Sequence, residues 1–199
     1  MRDKVISIFC LVDDILKGVN HEEDKRRKVS DSEVLTTALV SAMYFSGNHH
    51  HAIQFMKATN MVPKMLDTSR FSRRIHQVWQ LLYEVFLTLS HYLKEFCCEM
   101  RYILDSFPVP VCDNMRIDRC KLLKGKKWRG YTASLRKYFY GVKVQLLVTQ
   151  DGIPIQFHFV PGKTGDVKGL ERIVRELSPE SKVYADSAYT DYSIEDLLK

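Results

Sequence analysis

Along residues 1–100 the apolar positions return every three or four residues. Val5, Ile8, Phe9, Val12, Ile15 and Leu16 form one stripe, the spacing of a helix with a single buried face. The charged run from His21 to Lys28 reads as a loop. Ser30-Asp31-Ser32-Glu33 has the form of a capping box, in which the serine oxygen accepts the Glu33 amide and the glutamate reaches back to the serine amide. Val34, Leu35, Ala38, Leu39, Ala42 and Met43 supply the face behind it. A further helix start stands at Ser69, and Phe71, Ile75, Val78, Trp79, Leu82, Phe86, Leu89 and Leu93 carry its stripe as one run.

From Arg101 the period changes to two. Val142, Val144, Leu146 and Val148 share one side of a strand, with Gly141, Lys143, Gln145 and Leu147 on the other. Asp151-Gly152 turns the chain into Ile153, Ile155, Phe157 and Phe159, which predicts an antiparallel hairpin. Gly162 and Gly165 interrupt the alternation, Asp166 suits an N-cap, and Leu170, Ile173, Val174 and Leu177 mark one helix face that Pro179 ends. The strand Lys182–Asp186 follows. A helix between strands is the connection a parallel pair requires, so the last strand is predicted to run parallel to the first, Arg101–Asp105. Neighbouring strands lie about 4.8 Å apart, so Asp105 and Asp186 at matching strand ends would stand side by side. Ser193 then reads as the cap of a new helix that has about one turn before Lys199; a lone turn does not hold itself, so a longer chain is expected.

Composition narrows the partner. The 199 residues, 45% of them hydrophobic, suffice for one compact domain and a smaller module. Lysine and arginine outnumber aspartate and glutamate 30 to 24, for a net charge of +6, which favours a polyanion over a neutral metabolite. Arg70, Arg73 and Arg74 crowd the first turn of a helix, where positive charge opposes the macrodipole unless an anion lies near. DNA phosphate would serve, as would water or the acids of a neighbouring helix. Arg116, Arg119, Lys121, Lys124, Lys126, Lys127, Arg129, Arg136 and Lys137 face the single acid Asp118, with Trp128, Tyr131 and Tyr138 interleaved. Such a segment binds phosphates and stacks on bases, or else is a solvated charge run. Lys143 reads either as a phosphate contact or as a lysine on a solvent face.

Other chemistries find little support. The five cysteines form no regular framework or zinc-ligand spacing and no signal peptide precedes them, so a reducing cytosol is expected and zinc is not. His49, His50 and His51 cannot share one helix face and are read as a solvated loop, with a phosphate contact as the alternative. No apolar run reaches the roughly 18 residues of a bilayer span. What remains is the carboxylate pair: Asp105 and Asp186 offer hard oxygen donors of the kind that hold Mg²⁺ beside phosphate.

Several segments in order carry a family resemblance: Leu104-Asp105-Ser106-Phe107-Pro108-Val109-Pro110-Val111-Cys112, Arg129-Gly130-Tyr131, Tyr138-Phe139-Tyr140-Gly141-Val142-Lys143-Val144-Gln145, Asp151-Gly152-Ile153-Pro154 and Tyr184-Ala185-Asp186-Ser187-Ala188-Tyr189. With Ser30 to Leu35 and Ser69-Arg70-Phe71-Ser72-Arg73-Arg74, the chain resembles the DDE-type transposases of bacterial insertion sequences, and among them the insertion-sequence 982 family. The resemblance implies an α+β or α/β chain: a helical, DNA-binding module over residues 1–100, then a partial ribonuclease H-like domain over 101–199. That domain would have three antiparallel strands, a crossover helix and a parallel fourth strand. It implies Asp105 and Asp186 as the first two catalytic and metal-binding carboxylates. The third, a glutamate from a later helix, has no match; Glu195 follows Asp186 too closely. Asp166 lies where such chains approach the crossover helix, as a cap or on the metal or phosphate side. The implied activity is two-metal phosphoryl transfer with Mg²⁺ or Mn²⁺, by a DNA transposase working as a homodimer at the ends of its own element, in the bacterial cytoplasm and associated with the nucleoid. Lacking a third carboxylate, these residues alone are expected to give weak or no strand transfer. A metal-dependent nuclease on the same fold and a non-catalytic DNA-binding remnant are the alternatives.

Overall fold

The computed structural model describes residues 1–96, 100–133, 135–167, 173, 177–178, 180–186 and 189. The chain divides into two compact units, Met1–Leu89 and Ser90–Lys199.

The first unit is helical: α1 (Arg2–Gly18), α2 (Asp31–Tyr44), α3 (His49–Ala58), α4 (Thr68–Gln77) and the start of α5 (Trp79–Phe96), which continues into the second unit. Its core gathers Val12, Val34, Leu35, Ile53 and Phe71. The capping box at Ser30 is complete, with the Glu33 carboxylate accepting the Ser30 amide at 2.7 Å. Three local expectations are corrected. The histidine run is not a loop but the first turn of α3, capped by Asn48, whose side-chain oxygen accepts the His51 amide at 3.2 Å. The histidines need not share a face there: His49 sets its ring edge-on to Phe71, while His50 bonds Thr68. The helix expected from Ser69 starts at Thr68, with Asp67 as its cap accepting the Arg70 amide at 2.9 Å. The stripe from Phe71 to Leu93 is also two helices. Val78 leaves helical geometry (φ −106°, ψ 12°) yet stays buried, and the break turns Trp79, 59% exposed, out of the face that a continuous helix would have given it.

The loop His21–Lys28 does more than meet water. Asp31, 1% exposed, receives Arg74 at 2.5 Å, His21 at 3.0 Å and Arg27 at 3.1 Å. The Glu23 carboxylate accepts the Asp31 amide at 2.7 Å and Arg74 at 3.1 Å. Burial, and then the charge of Asp31, push the Glu23 carboxyl above its ordinary range. Arg74 therefore points inward, where a buried carboxylate without a cation would be costly.

The second unit is built on a five-stranded mixed sheet. Its strands are β1 (Arg101–Cys112), β2 (Arg129–Thr132), β3 (Lys137–Thr149), β4 (Pro154–Pro161) and β5 (Lys182–Ala185). β3 pairs antiparallel with β1, β2 and β4, and β5 pairs parallel with β1. A helical region followed by this mixed sheet is an α+β, ribonuclease H-like arrangement. One antiparallel strand more than expected is present, because β2 lies inside the basic segment and pairs with the start of β3. Gly130 makes that approach possible: a Cβ there would stand 2.4 Å from the Gly162 carbonyl oxygen. The hairpin turn falls at Asp151-Gly152, with Gly152 at φ 79°.

The alternation in β3 is as read, but the side with the lysine is the deeper one. Gln145 and Leu147 are fully buried, and the core beneath collects Tyr102, Leu104, Leu147, Ile155, Ile173 and Tyr189. Lys143 is accordingly not a solvent-face lysine. Val167 and Ile173 are helical, and Ile173 enters the core, in line with a helix between β4 and β5. The expectations for Leu170, Val174, Pro179, Ser193 and Glu195, and for Cys97 and Cys98, fall outside the described residues. Among the described residues no helix is long and apolar enough to cross a membrane.

Candidate functional site

The site begins with register. β1 and β5 run parallel with Arg101 opposite Lys182, Ile103 opposite Tyr184 and Leu104 opposite Ala185. The next residues along are Asp105, which lies within β1 because that strand runs on to Cys112 instead of closing at Asp105 as expected, and Asp186, just past the end of β5. Registered residues of parallel strands point to the same side. Both aspartates are exposed, and both line a cavity of about 600 Å³ together with Arg101, Gln150 and Tyr184. This is the face of the sheet opposite Tyr102 and Leu104, so the acids open outward while their neighbours anchor the strands.

A polar network sits behind Asp105. Its Oδ1 accepts the Ser106 amide at 2.7 Å. Ser106 points to the core side, where its hydroxyl donates to Asp166 Oδ1 at 2.8 Å, and Lys143 Nζ donates to the same oxygen at 3.1 Å. Gln145, in register with Ser106, donates to the Asp166 carbonyl at 2.5 Å. Asp166, read from the sequence as a cap, is thus a clamp that ties the start of the crossover segment to β1 and β3. Nearby, burial pushes the Tyr189 hydroxyl up to about 12, and the charges of Asp166, Asp105 and Asp186 push the same way. The phenol stays neutral at any physiological pH.

The donor set suits a hard divalent cation. Two exposed carboxylates on adjacent strands, Asp105 within β1 and Asp186 just past β5, leave room for water and phosphate oxygens, the coordination Mg²⁺ prefers. Among the described residues no three His, Cys, Asp or Glu side chains come together, so the pair supplies two ligands only. Asp166 is engaged on the other face.

The basic candidates separate into two groups. Arg116, Arg119, Lys121, Lys124, Lys126, Lys127 and Arg129 are all exposed, over two 3₁₀ turns (Asn114–Arg119 and Lys126–Trp128) and the start of β2. Tyr140 pins this segment, its hydroxyl lying 3.2 and 3.3 Å from the carbonyl oxygens of Leu123 and Gly125. Trp128 serves the segment's own structure: its indole donates to Lys124 at 3.1 Å and its ring lies under Lys127. Tyr131 and Tyr138 remain exposed, with ring centroids 4.9 Å apart. In the helical unit Arg70 pairs with its own cap Asp67 at 3.3 Å, Arg73 is exposed, and Arg74 belongs to the Asp31 cluster. The three arginines thus do not form one patch, since Arg74 is buried and paired with Asp31 and Glu23.

Sequence reasoning passed over Arg101, Gln150 and Tyr184 beside the acids, and Lys163 in a second cavity. It also missed the Ser106–Asp166 contact. One signal for that contact was present: Gln145 is polar at a position flanked by alternating valines and leucines, where a buried amide needs a partner.

Comparison with known proteins adds one match. A family model described as a transposase DDE domain covers residues 97–199. No curated protein and no solved structure gave a significant match.

Proposed function

The chain belongs to the transposase DDE-domain family, and on that premise we propose that its second unit carries out divalent-metal-dependent phosphoryl transfer on DNA, with Asp105 and Asp186 as the catalytic, metal-holding carboxylates. The reading rests on one observation, the parallel register that ends in Leu104 opposite Ala185 and leaves the two acids as the next pair in an open cavity.

Each residue then has a task. Asp105 and Asp186 would hold Mg²⁺ or Mn²⁺ as acceptor-only anions. The chemistry a cation held there would supply is activation of a water or 3′-hydroxyl nucleophile and stabilisation of the leaving oxygen. Ser106 orients Asp105 through its amide, and Asp166 holds Ser106 in turn, with Lys143 balancing its half-buried charge. Lys143 acts on this network, and so on DNA only indirectly. Arg116, Arg119, Lys121, Lys124, Lys126, Lys127 and Arg129 track the phosphate backbone, and Tyr131 offers a ring to a base. Arg70 and Arg73 on α4 give the helical unit its own contact with duplex DNA. Within the family the chain is a member of the insertion-sequence 982 group, acting as a homodimer on the ends of its element in the bacterial nucleoid.

The test is an end-cleavage assay on labelled donor DNA with Mg²⁺ or Mn²⁺, comparing the chain with Asp105→Ala and Asp186→Ala. Nicked and joined products that vanish in both variants support the transposase reading. Cleavage without joining would favour a nuclease, and metal-independent DNA binding unchanged in both variants would leave binding as the function.

A further inference from the structure

A second cavity, of about 670 Å³, shares no lining residue with the one that holds the acids. It lies among the 3₁₀ turn after β1, the β2–β3 pairing and the loop that follows β4. Arg129, Lys143, Lys163, Thr164, Tyr131 and Tyr138 line it, and no aspartate or glutamate does. Of its three cations Lys143 is balanced by Asp166. Arg129 and Lys163 form no ion pair among the described residues. The volume falls in the range of small-ligand sites. Its floor depends on close backbone approach: a Cβ on Gly162 would stand 2.7 Å from the Trp128 carbonyl oxygen, and one on Gly130 would strike Gly162.

Cations without acids select an anion, and two exposed rings select a flat partner. Tyr131 and Tyr138 are 48% and 68% exposed, their ring planes tilted by 53°. Bases inside a duplex already stack on each other and present only edges, so only an unpaired base can lie on a tyrosine face. Along the sheet Lys143 is in register with Pro108, three residues up β1 from Asp105, about 10 Å at ordinary strand rise and on the face opposite that aspartate. We infer that this cavity takes one unpaired nucleotide of the DNA substrate, its phosphate against Arg129 and Lys163 and its base on Tyr131 and Tyr138. The inference rests on the reading of DNA as substrate, but not on catalysis.

Binding measured in EDTA keeps the two apart. The probes are a fluorescent single-stranded oligothymidine of about eight nucleotides and a blunt duplex of the same label, followed by anisotropy with the full chain. Tyr131→Ala with Tyr138→Ala is expected to weaken single-strand binding about 10- to 100-fold and to leave duplex binding within about twofold. The Tyr→Phe pair should retain single-strand binding. Lys163→Gln should weaken it and flatten its salt dependence by about one charge. Because any variant could misfold, the wild type is also titrated with a single strand carrying 2-aminopurine, whose fluorescence should be quenched on stacking. Equal loss on both probes, no loss on either, or unquenched 2-aminopurine in a bound complex would overturn the site while leaving DNA binding intact. A wild type that binds neither probe would overturn the site and the DNA reading together.

Discussion

Asp31 and Asp105 are the same residue type in opposite circumstances. Asp31 is buried in the helical unit and met by Arg74, Arg27 and His21, with Glu23 bracing its amide. Asp105 is exposed within β1, next along from the Leu104–Ala185 pair that Asp186 follows on β5, and its carboxylate accepts the Ser106 amide. The first arrangement is satisfied within the chain and serves stability. The second sets two exposed acids beside an open cavity, where water, phosphate and a hard cation can reach them. Acid content alone does not distinguish them; burial does, Asp31 being enclosed and Asp105 open to solvent.

The strongest way to break the comparison is to remove each acid in turn. Asp105→Ala or Asp186→Ala is expected to lower metal-dependent cleavage on the order of 10²–10³-fold or more, while urea denaturation moves by no more than about 0.5 kcal/mol. Asp31→Ala should do the reverse. Stranding Arg74 and Arg27 is expected to cost about 3–5 kcal/mol in urea, with Mn²⁺ binding to the second unit, read by calorimetry on folded protein, unchanged.

A residue between the two extremes sharpens the contrast. Asp166→Asn keeps the shape but removes the charge that Lys143 and Ser106 address. Mn²⁺ affinity is expected to fall about tenfold through loss of outer-shell support, a change that a merely structural contact would not produce in protein that remains folded. Smaller again is the capping box, where Ser30→Ala should cost about 1 kcal/mol in thermal or urea melts.

The smallest effect is one of pH. The Arg70 amide holds the Asp67 carboxyl below its ordinary value of 3.8. A lowered folded-state pKa means that the cap's charge contributes stability above the ordinary value and loses it as pH falls through the lowered one. Melting curves of wild type and Asp67→Asn should therefore converge in strong acid and stay parallel above about pH 5. Convergence at neutral pH would show that the charge contributes nothing.

Much of the fold was legible because its signals are local. The capping box involves residues three apart, the hairpin turn two, and the alternation along β3 names which side chains share a face. The parallel pairing was legible for a related reason: a helix between two strands leaves few topologies, and the parallel one sets β5 beside β1 so that Asp105 and Asp186 line one cavity. What periodicity could not report is which of two faces is covered. In β3 the lysine-bearing side became the core side, because Asp166 arrives to neutralise Lys143 and Gln145 finds a carbonyl. The break at Val78 was hidden for the same reason, since the stripe keeps its phase across it.

The amino-acid order by itself determined the helical first half, the mixed sheet, the exposed basic segment and the parallel pairing that brings Asp105 and Asp186 to one cavity, all from interactions within a few residues or from the limited ways to connect strands. Only the tertiary structure decided that Arg74 turns inward to Asp31, that Ser106, Asp166 and Lys143 form one clamp, and that Arg129, Lys163 and two tyrosines enclose a cavity. Those outcomes depend on charges and rings brought together from distant parts of the chain, and local pattern carries no information about which distant partner arrives.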